Sequence, residues 1–231
     1  MGVNAPTVKE KAMLFGCDLC GIASIDRFQN MPPKSNPLAI LPKAKSVIVV
    51  AKKFLNSTTE STSTIPYTII RNWISREIDE ITIQLAYFLE EANHLAIPTG
   101  AIEPCNYDSD LDKQTGFISL KNAAHQAGLG VIGKNTLLIT PEYGNMVWLG
   151  AVITSADLEP DPILENNPCQ GKCSICIDRC PVGALDGSLF IDQKKCKNFA
   201  FGEEDGGEWR IKCNKCRILC PSSRGYKLMA A

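Results

Sequence analysis

Hydrophobic positions along this 231-residue chain follow two periods, one typical of helices and one typical of buried strands. The longest helical pattern covers about 20 residues, in which apolar side chains recur every three or four positions. Those positions are Ile70, Trp73, Ile74, Ile78, Ile81, Leu85, Phe88 and Leu89. We interpret Trp73 and Phe88, like the aliphatic residues around them, as core residues of one long helix.

Shorter patterns predict the remaining elements. Helices are expected at 7–16 and 119–127, where apolar residues share a face and a glycine follows. The run VIVVA at 47–51 predicts a strand buried on both faces, and 20–25 predicts another strand. Residues 136–140 and 147–154 predict two further strands, and the turn-forming sequence PEYGN between them predicts a hairpin.

The alternation of helices and strands implies a layered α/β or α+β fold for the first part of the chain. Near residue 157 the composition changes to a linker rich in Asp, Pro and Asn, and the cysteines begin after it. We therefore divide the chain into an α/β domain, 1–160, that would hold a cofactor or substrate, and a small cysteine-rich domain, 161–231.

Composition restricts the classes of function. Hydrophobic residues make up 45% of the chain and charged residues 21%, and the net charge of −1 gives no overall field that would attract nucleic acid or a membrane. The N-terminal residues lack the apolar core of a signal peptide, and no apolar stretch is long enough to span a membrane. We expect a cytoplasmic protein, in which thiols stay reduced and clustered cysteines bind metal.

Eight of the eleven cysteines lie between residues 169 and 220, in two related groups. The first group is Cys169-x3-Cys173-x2-Cys176-x3-Cys180-Pro. The second is Cys213-x2-Cys216-x3-Cys220-Pro, with Cys196 alone upstream. The run C-x2-C-x3-C-P thus occurs twice, which is typical of ferredoxins that hold two [4Fe–4S] clusters.

In such ferredoxins the cysteine before the proline binds the other cluster. The ligands predicted for the first [4Fe–4S] cluster are then Cys169, Cys173, Cys176 and Cys220. Those predicted for the second are Cys180, Cys196, Cys213 and Cys216. Eight cysteines fill eight ligand positions, although the three residues after Cys169 depart from the usual gap of two.

Other interpretations of the cysteines stay open. Pairs with the spacing C-x2-C also bind zinc, although zinc ribbons do not need the Cys-Pro ending. Clusters can be structural rather than carriers of electrons, although we favour electron transfer between two adjacent clusters. Outside the groups, Cys17-x2-Cys20 is either a redox pair or, as we favour, two small buried residues.

The segment 127–135 contains G-x-G-x-x-G, which alone is a weak signal for dinucleotide binding. A Rossmann fingerprint follows a strand and opens a helix, whereas this one follows a predicted helix and precedes a predicted strand. We therefore exclude NAD. The glycines still allow a bound group to approach the backbone closely.

The stretch AGLGVIGKNTLLITPEYGNMVWLGAVIT, followed by CSICIDRCPVGAL and CNKCRILCP, resembles the epoxyqueuosine reductase family, which is related to the catalytic cores of reductive dehalogenases. The resemblance covers residues 115–221 well, and the stretches CDLCGIASIDRF and VIVVAKKF more loosely. It implies a nitroreductase-like α/β domain followed by a bacterial-ferredoxin-like domain with two [4Fe–4S] clusters.

The resemblance also implies a chemistry. The protein would be a reductase that takes low-potential electrons from an external ferredoxin or flavodoxin and delivers them to cobalamin in its N-terminal domain, with flavin as the second choice of cofactor. Gly128, Gly130, Gly133 and Lys134 match the glycine loop beside the family's cobalamin pocket. The alternative is a non-catalytic electron carrier that docks a partner enzyme, for example a corrinoid protein.

Several residues are candidate proton donors. The family has an aspartate upstream of the glycine motif, where an ungapped count reaches Gln114 here, and Asp110 and Asp112 lie nearby. His125, on the predicted helix before the glycine loop, is a third candidate, although a histidine there more often packs or caps.

Two features bear on partners. Queuosine-forming members of the family carry a helical extension that helps to hold tRNA, whereas this sequence ends eleven residues after Cys220, so we do not expect tRNA as substrate. Basic residues outnumber acidic ones in residues 192–231. They would guide an acidic electron donor or RNA or, as we favour, offset the negative charge of the clusters.

Overall fold

A computed structural model describes residues 2–32, 36–102, 106–108, 113–116, 118–169, 171–203 and 207–226. The described helices are α1 (Ala5–Leu14), α2 (Pro37–Ile40), α3 (Ile65–Glu91), α4 (Leu120–Gln126), α5 (Ile175–Asp178), α6 (Gln193–Ala200) and α7 (Lys215–Ile218). The strands are β1 (Leu19–Ser24), β2 (Ser46–Lys53), β3 (Ala96–Thr99), β4 (Asn106–Asp108), β5 (Lys113–Thr115), β6 (Val131–Ile132), β7 (Leu138–Ile139), β8 (Val147–Thr154), β9 (Phe201–Gly202) and β10 (Arg210–Ile211). The chain is therefore a mixed α/β protein, as predicted.

The chain forms two compact units, each built from separate parts of the sequence. The first unit comprises 1–52, 74–130 and 148–164, and the second comprises 53–73, 131–147 and 165–231. The division expected from the sequence, at residue 160, was linear. The second unit also takes in earlier segments because polar side chains from 131–147 donate hydrogen bonds to the backbone of the cysteine-rich region.

The first unit is organised around a four-stranded sheet with the order β1-β2-β8-β3. β1 runs antiparallel to β2, and β3 runs antiparallel to β8. β2 is buried on both faces, as predicted, because Val47–Ala51 are fully shielded from solvent. Helix α3 packs so closely on β8 that a Cβ atom at Gly150 would lie 2.3 Å from the Cγ2 atom of Ile78.

The ends of the predicted helices follow from local hydrogen bonds. Helix α1 begins at Ala5 because the side chain of Asn4 accepts a hydrogen bond from the backbone N–H of Thr7 at 3.0 Å. Helix α3 has the 3.6-residue period that the sequence predicts, and its residues Ile78, Ile81, Leu85 and Leu89 lie in the core of the first unit. Within the described ranges, no helix combines the length and the apolarity that a membrane span requires.

The predicted hairpin between 136–140 and 147–154 is wrong. Strand β7 pairs with β6, so that Ile132 lies opposite Leu138, whereas β8 belongs to the four-stranded sheet. A tight turn explains this pairing, because the Gly133 N–H donates to the carbonyl of Leu137 at 3.0 Å and the Thr136 N–H donates to the carbonyl of Gly133 at 2.8 Å.

The prediction that Trp73 is a core residue is also wrong, because its side chain is 60% exposed. Phe88 is half-buried and packs against the core of the first unit. Both residues belong to an apolar-rich helix, but Trp73 lies one helical turn from Ile69, which is 60% exposed as well. Helical spacing alone therefore did not separate the buried stripe of α3 from its outer face.

Candidate functional site

The two C-x2-C-x3-C-P runs fold into matching helical turns in the second unit. In the first run, the carbonyl of Ser174 accepts hydrogen bonds from the N–H groups of residues 177 and 178, both at 2.9 Å. In the second, the carbonyl of Asn214 accepts from residues 217 and 218 at 2.9 and 3.1 Å. Helices α5 and α7, which carry Cys176 and Cys216, pack against each other. The sequence repeat is therefore also a structural repeat.

Four cysteines from three parts of the second unit meet around one small cavity. They are Cys180, Cys196, Cys213 and Cys216, the set that the sequence predicts for the second cluster. The cavity has a volume of about 40 Å³, and its wall also includes Leu185, Ile191, Phe199 and Ala200. An apolar cavity lined by four thiols is a chemical environment that suits an iron–sulfur cluster.

The thiols around this cavity influence one another. Burial raises the pKa of the Cys196 thiol, and the nearby Cys213 and Cys180 raise it further. The Ala184 N–H donates to the Cys180 sulfur at 3.2 Å, a type of contact that tunes the reduction potential of a cluster. Because thiolates this close repel one another, a bound cation or cluster would stabilise the arrangement.

The other four cysteines form a second group. Burial raises the pKa of the Cys220 thiol to about 11, and the charges of Cys169, Cys176 and Cys173 contribute to this increase. Burial likewise raises the pKa of Cys176, with Cys169 and Cys173 adding to it. The charge of Cys176 also contributes to the raised pKa of Cys216. The assignment of these four cysteines to one cluster therefore stays a prediction.

Cys169, whose spacing is unusual, is held by a neighbouring amide. Its N–H donates to the side-chain oxygen of Asn167 at 2.9 Å, and the Asn167 amide donates to the carbonyl of Ile132 at 3.4 Å. A Cβ atom at Gly133 would lie 3.2 Å from the Cys169 sulfur. Cys169 thus lies next to the glycine segment.

Lys134 and Asn135 connect the glycine segment to both cysteine runs. The ammonium of Lys134 donates to the carbonyls of Gly171 and Cys173, at 3.1 and 2.9 Å. The buried amide of Asn135 donates to the carbonyl of Cys216 at 3.1 Å. Lys134, predicted from the sequence as a cofactor-binding residue, therefore holds a cysteine loop in this structure, and Asn135 was not identified from the sequence.

The glycines predicted for cofactor binding have packing roles in the described structure. Gly128 has a positive φ of 72°, and a Cβ atom there would lie 2.3 Å from the carbonyl oxygen of Pro162. Gly130 is buried, and its carbonyl accepts a hydrogen bond from the Nδ1–H of His125 at 2.8 Å. His125, a candidate proton donor, is thus engaged in holding the loop that follows its own helix. The cofactor role of these residues stays a prediction.

Arg217 belongs to the basic residues of 192–231 that the sequence predicts to offset the charge of the clusters, but its burial was not expected. Its side chain is only 5% exposed, its guanidinium donates to the carbonyl of Val147 at 3.3 Å, and it lies 5.0 Å from the centre of the Phe54 ring. Its positive charge also lowers the pKa of Cys216, against the larger increase that burial causes. Its position directly after Cys216, a predicted ligand, was the available sequence signal.

Cys17 and Cys20 have the surroundings of packing residues rather than of a redox pair. Burial raises the pKa of Cys17 to about 12, and burial also raises the pKa of Cys20. Thiols in this state react slowly, because the thiolate is the nucleophile. The candidate proton donors Asp110 and Asp112 lie outside the described residues.

Among the residues that the structure describes, no group of three or more His, Cys, Asp and Glu side chains is arranged to hold a metal ion. A [4Fe–4S] cluster is a larger group, in which each of four irons takes one cysteine, so its ligands stand farther apart than those of one ion. The two groups of four thiols therefore remain suitable for clusters.

Several known epoxyqueuosine reductases are similar to this chain in sequence. The epoxyqueuosine reductase of Gloeobacter violaceus is 33% identical over 257 residues, which cover 96% of this chain and 76% of the relative. The epoxyqueuosine reductase of Listeria monocytogenes is 37% identical over 121 residues, which cover 48% of this chain and 31% of the relative. The matched stretch thus spans less than a third of the Listeria protein. No family model matches the chain.

Solved structures with a similar fold include an epoxyqueuosine reductase from Streptococcus thermophilus, with a TM-score of 0.66 and 22% identity over 98% of this chain and 68% of that one. An epoxyqueuosine reductase in complex with an epoxyqueuosine-modified stem loop of tRNA-Tyr has a TM-score of 0.63 and 23% identity over 97% of this chain and 66% of that one. A reductive dehalogenase, for which B12-dependent dehalogenation was described, has a TM-score of 0.67 and 16% identity over 94% of this chain and 31% of that one.

Proposed function

We propose that this chain, which belongs to the epoxyqueuosine reductase family, is a reductase that holds two [4Fe–4S] clusters and delivers electrons to a cofactor in its N-terminal domain. The observation that carries the proposal is the cavity that Cys180, Cys196, Cys213 and Cys216 line together, in a unit where the C-x2-C-x3-C-P run occurs twice. When bound, such clusters accept and release single electrons at low potential. We propose accordingly that the second unit is ferredoxin-like and the first nitroreductase-like.

The residues around the thiols would hold the clusters and adjust their charge. Lys134 and Asn135 fix the two cysteine loops through their carbonyls. The Ala184 N–H and the Arg217 guanidinium place positive charge next to Cys180 and Cys216. Because each thiolate adds negative charge in an apolar environment, these donors favour the liganded state.

We propose cobalamin as the acceptor, with flavin second. Family membership supports cobalamin, as does the similar fold of a dehalogenase described as B12-dependent. The donor of electrons would be an external ferredoxin or flavodoxin.

One epoxyqueuosine reductase of similar fold was solved with an epoxyqueuosine-modified tRNA stem loop. Such a stem loop is therefore the first substrate to test with this chain. Our expectation against tRNA rested on where the sequence ends, and the end of the sequence does not decide the question. Binding of an epoxyqueuosine-modified stem loop, and its reduction by the fully loaded protein, would establish this substrate. Electron transfer without binding or reduction of a substrate would favour the alternative, a carrier that docks a partner enzyme.

Cysteine substitutions, followed by electron paramagnetic resonance of the reduced protein, test the cluster assignment. Anaerobically purified protein should contain about eight iron atoms per chain, four for each cluster. Cys173→Ser and Cys220→Ser should weaken the same signal, and Cys180→Ser and Cys216→Ser should weaken the other. Cys17→Ser is the control and should leave both signals and the iron content unchanged.

Two results would contradict the proposal. About two zinc atoms and no iron would exclude electron transfer through clusters. If Cys220→Ser removed the signal that Cys216→Ser removes, the crossed assignment would be wrong. The acceptor is tested separately. Added cobalamin should change its visible spectrum when it binds to the protein. If the spectrum does not change, cobalamin is rejected as the acceptor, but the assignment of the clusters is not.

A further inference from the structure

Residues 222–226, which we call the strap, pack against the turn at 141–144 within the second unit. A Cβ atom at Gly144 would clash with a carbonyl oxygen of the strap, and one at Gly225 would lie 2.5 Å from a carbonyl oxygen of the turn. Both glycines adopt a positive φ, of 56° and 109°. The two backbones therefore touch at positions that leave no room for a side chain.

Tyr226 anchors the strap at two points. Its N–H donates to the carbonyl of Pro141 at 2.8 Å, and its hydroxyl donates to the carbonyl of Asn166 at 3.2 Å. The side chain is half-buried, and this burial, together with the charge of Glu142, raises the pKa of the phenol. The hydroxyl therefore keeps its proton well above neutral pH and remains a hydrogen-bond donor.

The strap connects two of the predicted cluster ligands through their backbones. Asn166 directly precedes Asn167, whose side-chain oxygen accepts a hydrogen bond from the N–H of Cys169 at 2.9 Å. At the other end, the Ser223 N–H donates to the carbonyl of Cys220 at 2.9 Å. The phenol thus ties the chain that follows Cys220 to the chain that precedes Cys169.

The thiols of Cys169 and Cys220 also influence each other. Burial is the largest cause of the raised pKa of Cys220, and among the other cysteines the charge of Cys169 contributes most to it. Because such a contribution falls with distance, the two thiols lie close enough to interact. Both are predicted ligands of the first cluster, and they come from opposite ends of the cysteine-rich region.

We propose that Tyr226 is a positioning residue for the first cluster, because its hydroxyl closes the strap onto the segment before Cys169 and so keeps Cys169 and Cys220 in one ligand set. This proposal rests on the proposed function, since it requires a [4Fe–4S] cluster at the first predicted set of ligands. The phenol acts only through the backbone of Asn166. A set of ligands that is held in place releases its cluster more slowly than a loose set.

The test removes one hydroxyl and follows both clusters. The variant is Tyr226→Phe, which keeps the ring, and the matched control is Tyr87→Phe on α3, where the residue is 64% exposed. Asn167→Ala, which removes the acceptor of the Cys169 N–H, is the reference for an effect on Cys169. Anaerobic, iron-loaded proteins are mixed with an excess of an iron chelator, and paramagnetic resonance of reduced samples follows each cluster signal over time.

We expect Tyr226→Phe to lose the signal that Cys173→Ser weakens about fivefold faster than the parent does, as removal of one hydrogen bond of average strength predicts. Asn167→Ala should accelerate loss of the same signal. The other cluster signal and the control variant should be unchanged. Amide exchange in β2 and β8 should be unchanged as well, because the first unit contains no part of the strap.

Gly225→Ala tests the strap without altering the phenol. The added methyl group would lie 2.5 Å from the carbonyl oxygen of Pro141, and alanine rarely adopts the φ of 109° found there. The strap should therefore move away from the turn, and the first cluster should be lost about tenfold faster, as overpacking predicts.

The possible contrary results have different meanings. If Tyr226→Phe retains both signals for as long as the parent does, the phenol does not hold the ligands. If both signals disappear faster in parallel, Tyr226 stabilises the unit as a whole and positions neither cluster. Faster loss of the other signal alone would also overturn the proposal. If the parent itself contains no iron, the proposed function fails, and this proposal fails with it.

Discussion

At the scale of single residues, the turn from Gly133 to Thr136 packs closely against Cys169. A Cβ atom at Gly133 would lie 2.5 Å from the Cδ1 atom of Ile139 and 3.2 Å from the Cys169 sulfur. Thr136 adopts a positive φ of 60°, which is rare for a β-branched residue and is maintained only where the surroundings enforce it. The sequence predicts that this glycine segment binds a cofactor, whereas its contacts in the structure are with the cysteine loops.

Gly133→Ala tests this close packing. The added methyl group should destabilise the second unit by about 1–3 kcal/mol, as overpacked cores do. It should also make the first cluster more easily lost, because Cys169 would have to move. Iron per chain and the rate of cluster loss in air measure the effect. Ile139→Val in the same chain removes the closest atom and should restore part of the loss, whereas unchanged iron retention in Gly133→Ala would contradict this account.

At the scale of elements, the paired helices α5 and α7 and the buried Arg217 determine the surroundings of the cysteines. The Arg217 guanidinium packs on the ring of Phe54, and the centre of that ring lies 5.0 Å from the centre of the Tyr67 ring. The backbone carbonyl of Arg217 accepts a hydrogen bond from the side-chain amide of Asn145 at 3.3 Å. These contacts connect α7 to residues from two earlier segments of the second unit. A short helix with one buried cation is thereby fixed beside a ligand cysteine.

Arg217→Met should make the second cluster harder to reduce. Reduction adds negative charge, and the variant lacks the cation that favours it, so we expect the potential to fall by on the order of 50 mV, about a tenfold change in a one-electron equilibrium. Redox titration monitored by paramagnetic resonance measures this shift. Arg217→Lys keeps the charge and should shift the potential less. Equal shifts in the two variants would assign the effect to packing instead.

At the scale of the whole molecule, the two units are stabilised in different ways. The first unit has a core of aliphatic residues from α1, α3 and the central strands, with Val8, Ile22 and Ile78 fully buried. The cysteine-rich part of the second unit consists of short helices and two-residue strands. Since such small elements bury little apolar surface, bound clusters would supply much of their stability.

Removal of iron should therefore affect the units unequally. After chelation under reducing conditions, amide hydrogen exchange should increase strongly in residues 171–203 and 207–226, while strands β1, β2 and β8 stay protected. A cluster that binds only the folded state stabilises that state, and loss of the cluster removes the stabilisation. Reconstitution with iron and sulfide should restore protection. Equal loss of protection in both units would show that the clusters stabilise the whole chain.

Several features follow from local spacing in the sequence alone. The long helix and the buried strand at 47–51 follow from periodicity, and the structure agrees with both. The crossed grouping of eight cysteines follows from the repeated motif and stays a prediction. The family could also be recognised from the glycine segment and the cysteine runs, and the comparisons confirm it.

Which distant segments meet depends on the tertiary fold. Local spacing could not show that β7 pairs with β6 rather than with β8, because both pairings satisfy the apolar pattern. It could not place Trp73 on the outer face of α3. Nor could it place Lys134 against the carbonyl of Cys173 or Arg217 against that of Val147, since these contacts join residues far apart in sequence. The motif predicts the ligands, whereas the fold decides which distant residues contact the cysteine loops.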